Sequence, residues 1–251
     1  MDLGLKGARV LVTAGAGGIG RVIAEAFVEE GANVHVCDVD EAALGSLPAG
    51  ITGTRCDVSD RSAVAALFAG LPDLDVLVNN AGIAGPTGLV EEINPEDWDR
   101  CLEVCLTGQF NVARLAIPLL RRSANPSITN LSSAAGRFGF GLRAPYAAAK
   151  WGVIGLTKSL AIELGGAGIR VNAILPGLVA GDRQRRVLEA KAQARGVSFA
   201  EIEAQAMAYA SIKEYVTPRQ LADQILLLAS PRGRTISGQA IAIDADMQML
   251  S

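Results

Sequence analysis

Histidine is nearly missing, with His35 the one example in 251 residues. A serine, histidine and acid hydrolytic set therefore has a single candidate base. That residue sits in the alternating run Asn33-Val34-His35-Val36-Cys37, which reads as a strand with His35 turned toward a neighbouring helix. Cysteine is also sparse: Cys37, Cys56, Cys101 and Cys105 are irregularly spaced. A chain this long needs no disulfide framework, so free thiols are expected. Cys101 and Cys105 lie four apart on an expected helix but lack the second pair or nearby histidine that a zinc site needs, so no metal is expected. No apolar run reaches the roughly 20 residues of a membrane span, and the opening MDLGLKGARVLVTAG has no charged leader followed by a long apolar stretch. Nor is there an excess of positive charge; a net charge of −3 argues against nucleic acid as a partner. The expectation is a soluble cytoplasmic protein.

What the chain does hold is apolar material, half of its residues, enough for one packed domain. Short β-rich runs alternate with amphipathic stretches. The spacing predicts strands at 8–13, 33–37, 51–56, 74–78, 126–131, 169–174 and 239–243. Helices are expected from Gly18 to before Gly31 and at 59–70, 95–121, 145–164 and 218–229. Alternation of this kind implies an α/β fold: a Rossmann-like, doubly wound parallel β-sheet with helices on both faces, in a single domain over 1–251. The exception is the charged, Ala-rich stretch 181–217, which reads as a substrate lid.

After the first strand comes Thr13-Ala14-Gly15-Ala16-Gly17-Gly18-Ile19-Gly20, a G-x-G-x-x-G turn opening a helix. Glycines there permit a tight turn and close approach of a pyrophosphate to the helix N-terminus. Gly15, Gly17, Gly18, Ile19 and Gly20 are thus the candidate phosphate cradle. Asp38, eighteen residues beyond Gly20, stands where a carboxylate would accept hydrogen bonds from a ribose hydroxyl and repel a 2′-phosphate, favouring NAD over NADP. Its alternative role is a helix cap, which Asp40 would fill equally well.

The most informative stretch is Tyr146-Ala147-Ala148-Ala149-Lys150. Pro145 suits a first helical position, and residues four apart share a helical face, so the ammonium of Lys150 lies near the Tyr146 phenol. Tyrosine ordinarily ionises near pH 10, and a neighbouring cation favours its phenolate. Ser133, thirteen residues upstream at a strand end, offers a hydroxyl to a substrate carbonyl.

On these residues the chain resembles the short-chain dehydrogenase/reductase family, of the single-domain kind with a YxxxK motif. The likeness spans nearly the whole sequence through the glycine turn, Asp57-Val58, Asn79-Asn80-Ala81-Gly82, Ser133, Tyr146 with Lys150, and Pro176-Gly177. The resemblance implies that Asp57 and Val58 hold the adenine and that Asn80, Ala81 and Gly82 border its ribose. It assigns Lys150 to the nicotinamide ribose, and Pro176 and Gly177 to the nicotinamide site. Ser133, Tyr146 and Lys150 are the implied catalytic set, moving hydride between NAD(H) and an alcohol/ketone substrate. A homotetramer is implied, assembled through the helices around 95–121 and 145–164, with the C-terminal segment joining another interface.

Three positions depart from the family pattern. Ala14 replaces a turn glycine, Cys105 replaces an asparagine implicated in a proton relay, and Gly181 replaces a threonine that contacts the carboxamide. Arg183, Arg185 and Arg186 open the lid and suit a carboxylate, sulfonate or phosphate, although Glu189, Glu201 and Glu203 follow them. Phe138, Phe140 and Leu142 are candidate apolar walls. The substrate expected is a small to medium sugar or polyol, cyclic alcohol or hydroxyacyl compound; the alternative is a catalytically weak NAD-sensing protein of the same fold.

Overall fold

The computed structural model describes residues 2–250. Among them seven strands form one parallel sheet: β1 (Arg9–Thr13), β2 (Asn33–Asp38), β3 (Ile51–Arg55), β4 (Val76–Asn79), β5 (Ser127–Leu131), β6 (Arg170–Pro176) and β7 (Ala240–Ile243). Their order is β3-β2-β1-β4-β5-β6-β7. The helices between them are α1 (Gly18–Glu29), α2 (Glu41–Gly45), α3 (Arg61–Ala69), α4 (Pro95–Leu102), α5 (Gly108–Leu120), α6 (Ala144–Gly165), α7 (Asp182–Arg195), α8 (Phe199–Ala208) and α9 (Pro218–Ala229). The expected doubly wound α/β architecture is the one found.

The two-residue period of the strands divides the core into two layers. Val10 and Val12 of β1 pack with Ile23 and Phe27 of α1 and with Leu221 and Ile225 of α9. Leu11, between them, faces the other way and joins Leu77, Ile128, Val64 of α3, Val112 of α5 and Leu160 of α6. Full burial of each such side chain contributes roughly 1.5–3 kcal/mol, which is why a central strand with apolar residues on both faces is stable only when sandwiched. The chain runs outward from β1 to β3 and then returns to place β4 on the other side of β1, so a crevice opens beyond the carboxyl ends of β1 and β4.

Three local departures matter for the site. The helix expected over 95–121 is interrupted by a π turn at Glu103–Thr107, where Cys105 lies; such turns insert an extra residue into the helical ladder. The stretch 181–217, expected as a lid, holds two helices, α7 and α8, separated at Gly196 with a φ of +65°. It is tied back to the sheet end by Val216 N–H to the Leu178 carbonyl, 2.8 Å, and Ala180 N–H to the Val216 carbonyl, 2.9 Å. His35 has partners that its own strand does not show: its ring hydrogen-bonds Thr52 and Thr54 of the adjacent edge strand β3, at 2.7 and 3.0 Å.

Candidate active site

A cleft of about 780 Å³ occupies the crevice and extends under α7. At one end its wall is the glycine turn. Gly17 caps α1 with no side-chain hydrogen bond, and no acidic residue lies in the first turn, so the opening N–H groups and positive dipole end are left for an anion. Gly20 is required by close approach: a Cβ there would lie 2.0 Å from the Ala14 carbonyl oxygen. That oxygen and the Thr13 carbonyl each accept from Asn80 Nδ2 at 3.0 Å, stitching the end of β4 to the turn.

Ala14 adopts a φ of +49°. The turn thus tolerates a Cβ in the left-handed region, which costs an L residue about 1–2 kcal/mol. Ala14→Gly removes that strain but enlarges the unfolded ensemble. The expected net is a gain of about 0.5–1 kcal/mol, raising the melting temperature by about 1–3 °C. A thermal melt showing no gain would mean that the turn is unstrained.

Asp38 ends β2 in the cleft wall. Its carboxylate accepts from Val39 N–H at 2.8 Å and from Ala16 N–H at 3.1 Å, so it both braces the glycine turn and faces the cleft. The helix-cap alternative belongs to Asp40, which accepts from Ala43 N–H at 3.0 Å at the start of α2. A carboxylate at one wall and an uncapped helix N-terminus beside it fit the ribose and pyrophosphate of a dinucleotide.

Of the sequence-predicted residues, Gly17, Gly18, Ile19, Gly20, Asp38, Asn80, Gly82, Ser133, Tyr146, Lys150, Pro176 and Gly177 line this cleft. Gly15, Asp57, Val58 and Ala81 lie outside its lining. The Asp57 carboxylate is held by the Ser59 hydroxyl at 2.7 Å and by Arg100 at 2.8 Å. Burial alone would raise its pKa, but the Ser59 and Arg100 hydrogen bonds outweigh that and lower it. Val58 is buried against Gly108, and Ala81 N–H is taken by Thr13 Oγ1 at 2.9 Å.

At the other end β5 and α6 meet. The Lys150 side chain is 3% exposed, and its Nζ donates to the Leu131 carbonyl at 2.7 Å, which fixes the ammonium 5.6 Å from the centre of the Tyr146 ring. Ser132 Oγ donates to the Lys150 carbonyl at 2.7 Å and ties the strand end to the helix. Ser133 Oγ accepts from Ala135 N–H at 3.1 Å, leaving its own proton to donate into the cleft. The three predicted catalytic residues therefore come together.

Cys105 shares that corner. Its Sγ exchanges 3.4 Å hydrogen bonds with the N–H and carbonyl of Ile83, and it lies beside the Cys101 thiol. The Cys101 contact and the nearby Lys150 charge lower its pKa. Asn111 is no replacement for the missing amide, since it bonds the Val58 carbonyl and Arg61 away from the lysine. All four cysteines are free and buried.

The lid arginines separate by role. Arg183 donates to the Gly82 and Ile83 carbonyls at 3.1 and 3.0 Å, latching α7 across the cleft. Arg186 lines the cleft. Arg185 pairs with Glu189 at 2.9 Å on the solvent side, Glu201 is used in capping α8, and Glu203 accepts from Tyr215. Of the apolar candidates only Phe140 lines the cleft, while Phe138 packs in a satellite cluster with Ala134, Leu178 and Met247. C-terminal residues Met247, Met249 and Leu250 contribute to the cleft wall of their own chain.

Two cationic residues escape a reading of the sequence: Arg143 and Lys191 both line the cleft and both are buried. No local motif marks either one, for they are 48 positions apart and meet only through the lid.

A family model described as enoyl-(acyl carrier protein) reductase matches residues 13–247. The chain is 35% identical to 3-oxoacyl-acyl-carrier-protein reductase of Thermotoga maritima, over 97% of this chain and 98% of that one. It is 36% identical to the inactive 2-(S)-hydroxypropyl-CoM dehydrogenase 2 of Xanthobacter autotrophicus, over 90% of this chain and 99% of that one. Among solved structures, NAD+-bound xylitol dehydrogenase superimposes with a TM-score of 0.90 at 26% identity, covering 95% of this chain and 98% of that one.

Proposed function

The chain belongs to the short-chain dehydrogenase/reductase family of nicotinamide-linked oxidoreductases, and on that premise we propose that it moves hydride between NAD(H) and a small to medium secondary alcohol/ketone pair. The observation that carries the reading is the convergence of Ser133, Tyr146 and Lys150 on one wall of a cleft whose far end suits a dinucleotide. The nicotinamide ring, when bound, accepts or supplies the hydride. Ser133 and Tyr146 hold the substrate oxygen from two sides. In oxidation Tyr146 takes the hydroxyl proton; in reduction it returns one to the carbonyl oxygen. The buried Lys150 ammonium stabilises negative charge on the phenol oxygen. Gly17 to Gly20 and Asp38 would hold the pyrophosphate and adenine ribose, and Lys150, Pro176 and Gly177 the nicotinamide end. Asp57 and Val58 would hold the adenine, with Asn80, Ala81 and Gly82 bordering its ribose.

NAD rather than NADP follows from Asp38. Wild-type kcat/KM with NAD is expected to exceed that with NADP by about 100-fold, and Asp38→Asn, which keeps an acceptor for Ala16 N–H, is expected to shrink that ratio by about 10-fold or more. Equal use of both cofactors by the wild type would overturn the assignment. The reading includes a homotetramer, supported by exposed Phe110, Trp151 and Ile162 on α5 and α6, and a cytoplasmic location, supported by free buried thiols.

Cys105 favours a second reading, a weak or inactive NAD-binding member, and the inactive Xanthobacter relative is in keeping with it. The two separate on one measurement: thermal stabilisation by NAD with no reduced nicotinamide formed across an alcohol panel selects the second. If the thiol slows proton exchange at the lysine, Cys105→Asn raises kcat several-fold; an unchanged rate and pH profile would clear the cysteine of any role.

A further inference from the structure

Arg143 immediately precedes α6, three residues before Tyr146, and is only 2% exposed. Its Nη2 donates to the Ala84 carbonyl, but Nε and Nη1 have no hydrogen-bond partner among the described residues. A buried guanidinium with two idle N–H-bearing nitrogens is costly in any fold, because each forfeits hydration without return. No ion pair among the described residues offsets the charge. The guanidinium carbon lies 5.2 Å from the centre of the Tyr146 ring and 5.4 Å from that of Phe140.

The opposite face of Phe140 is not needed to see the second cation: Lys191 of the lid helix places its Nζ 3.9 Å from the same ring centre. Burial, and then the positive charge of Arg143, pull the Lys191 ammonium down to about 7. Two like charges are thus gathered around one ring inside the substrate half of the cleft. Arg183, 6.0 Å from the Tyr146 ring centre, adds a third. Asp38 and Asp40 stand at the end where the ribose is proposed, and Asp182, at the start of α7 beside Arg183, is the third carboxylate of the lining.

Resting on the oxidoreductase reading above, we infer that the substrate carries a carboxylate or sulfonate a few bonds from its reacting carbon, bound by an idle N–H of the Arg143 guanidinium with Lys191 contributing from α7. Nε and Nη1 each keep an unused N–H, and an oxyanion accepts a charge-assisted hydrogen bond from such a donor. Its charge also offsets that of the buried Arg143 guanidinium. Because Lys191 belongs to α7, a bound anion ties the lid to the catalytic wall, and the spacing from Arg143 to Tyr146 selects short acids over long neutral chains.

The test uses the intact enzyme saturated with NADH and two unreactive probes, propionate and propanesulfonate, read by calorimetry and thermal shift. Expected is binding of at least one probe by the wild type, weakened about 10- to 100-fold in Arg143→Met and weakened less in Arg143→Lys, with both variants folded by circular dichroism. Lys191→Met should weaken it as well. In turnover assays, short keto acids and keto sulfonates are compared with their neutral methyl-ketone counterparts, and the anionic-to-neutral ratio of kcat/KM falls about 100-fold in Arg143→Met, chiefly through KM. Preference for one probe separates carboxylate from sulfonate. No binding of either probe, or binding undiminished in both Arg143→Met and Arg143→Lys, overturns the anion site. Probe binding that depends on Arg143 in an enzyme that reduces no carbonyl compound supports the site and sinks the oxidoreductase reading instead.

Discussion

Tyr146→Phe is expected to lower kcat by about 10³-fold or more while leaving the NAD dissociation constant within about 3-fold, the size of effect that follows from removing a positioned proton-transfer group. The phenol oxygen is the atom lost. The ring stays, with Arg143, Lys150 and Arg183 around it at 5.2, 5.6 and 6.0 Å from its centre, so packing and cation–π contacts persist and the fold is little disturbed. Ser133 alone then holds the substrate oxygen, and an aliphatic hydroxyl is a far weaker acid than a phenol. Following reduced nicotinamide by absorbance alongside a binding titration checks both halves. Residual turnover within 10-fold of wild type would mean that another group moves the proton.

Lys150→Met removes the charge and keeps the length of the side chain. It should lower kcat by about 10²- to 10³-fold and also weaken NAD binding, a combination that Tyr146→Phe does not produce. Stability is expected to hold within a few degrees. The Leu131 carbonyl that loses the ammonium still accepts from Gln109 Nε2 at 3.1 Å, so no buried acceptor is orphaned, and a buried charge has been taken away. If Lys150→Met turns over near the wild-type rate with unaltered NAD affinity, the lysine is a packing residue.

Much of this site was legible before folding because its signals are local. The glycine turn, Tyr146 with Lys150, and Ser133 each sit within a few residues of a strand or helix end. Strand and helix geometry alone carries them to one edge of a parallel sheet. The same reasoning did not supply the partners of His35, because the sequence does not say which strand lies beside it; here it is an edge strand with two threonines. It ran one helix across 95–121, because a π turn leaves the apolar period nearly intact and shows only in the hydrogen-bond ladder. It also grouped Arg185 with Arg183 and Arg186, although i,i+4 pairing with Glu189 turns Arg185 outward.

The amino-acid order by itself determined the sheet, the glycine turn at the start of α1 and the grouping of Tyr146 with Lys150, since each depends on periodicity or on spacings of a few residues. Only the tertiary structure decided which charges share the substrate end. Arg143 and Lys191 stand 48 positions apart, and the fold brings both to the Phe140 ring. Such a meeting is fixed by the packing of the whole molecule and not by any stretch of chain.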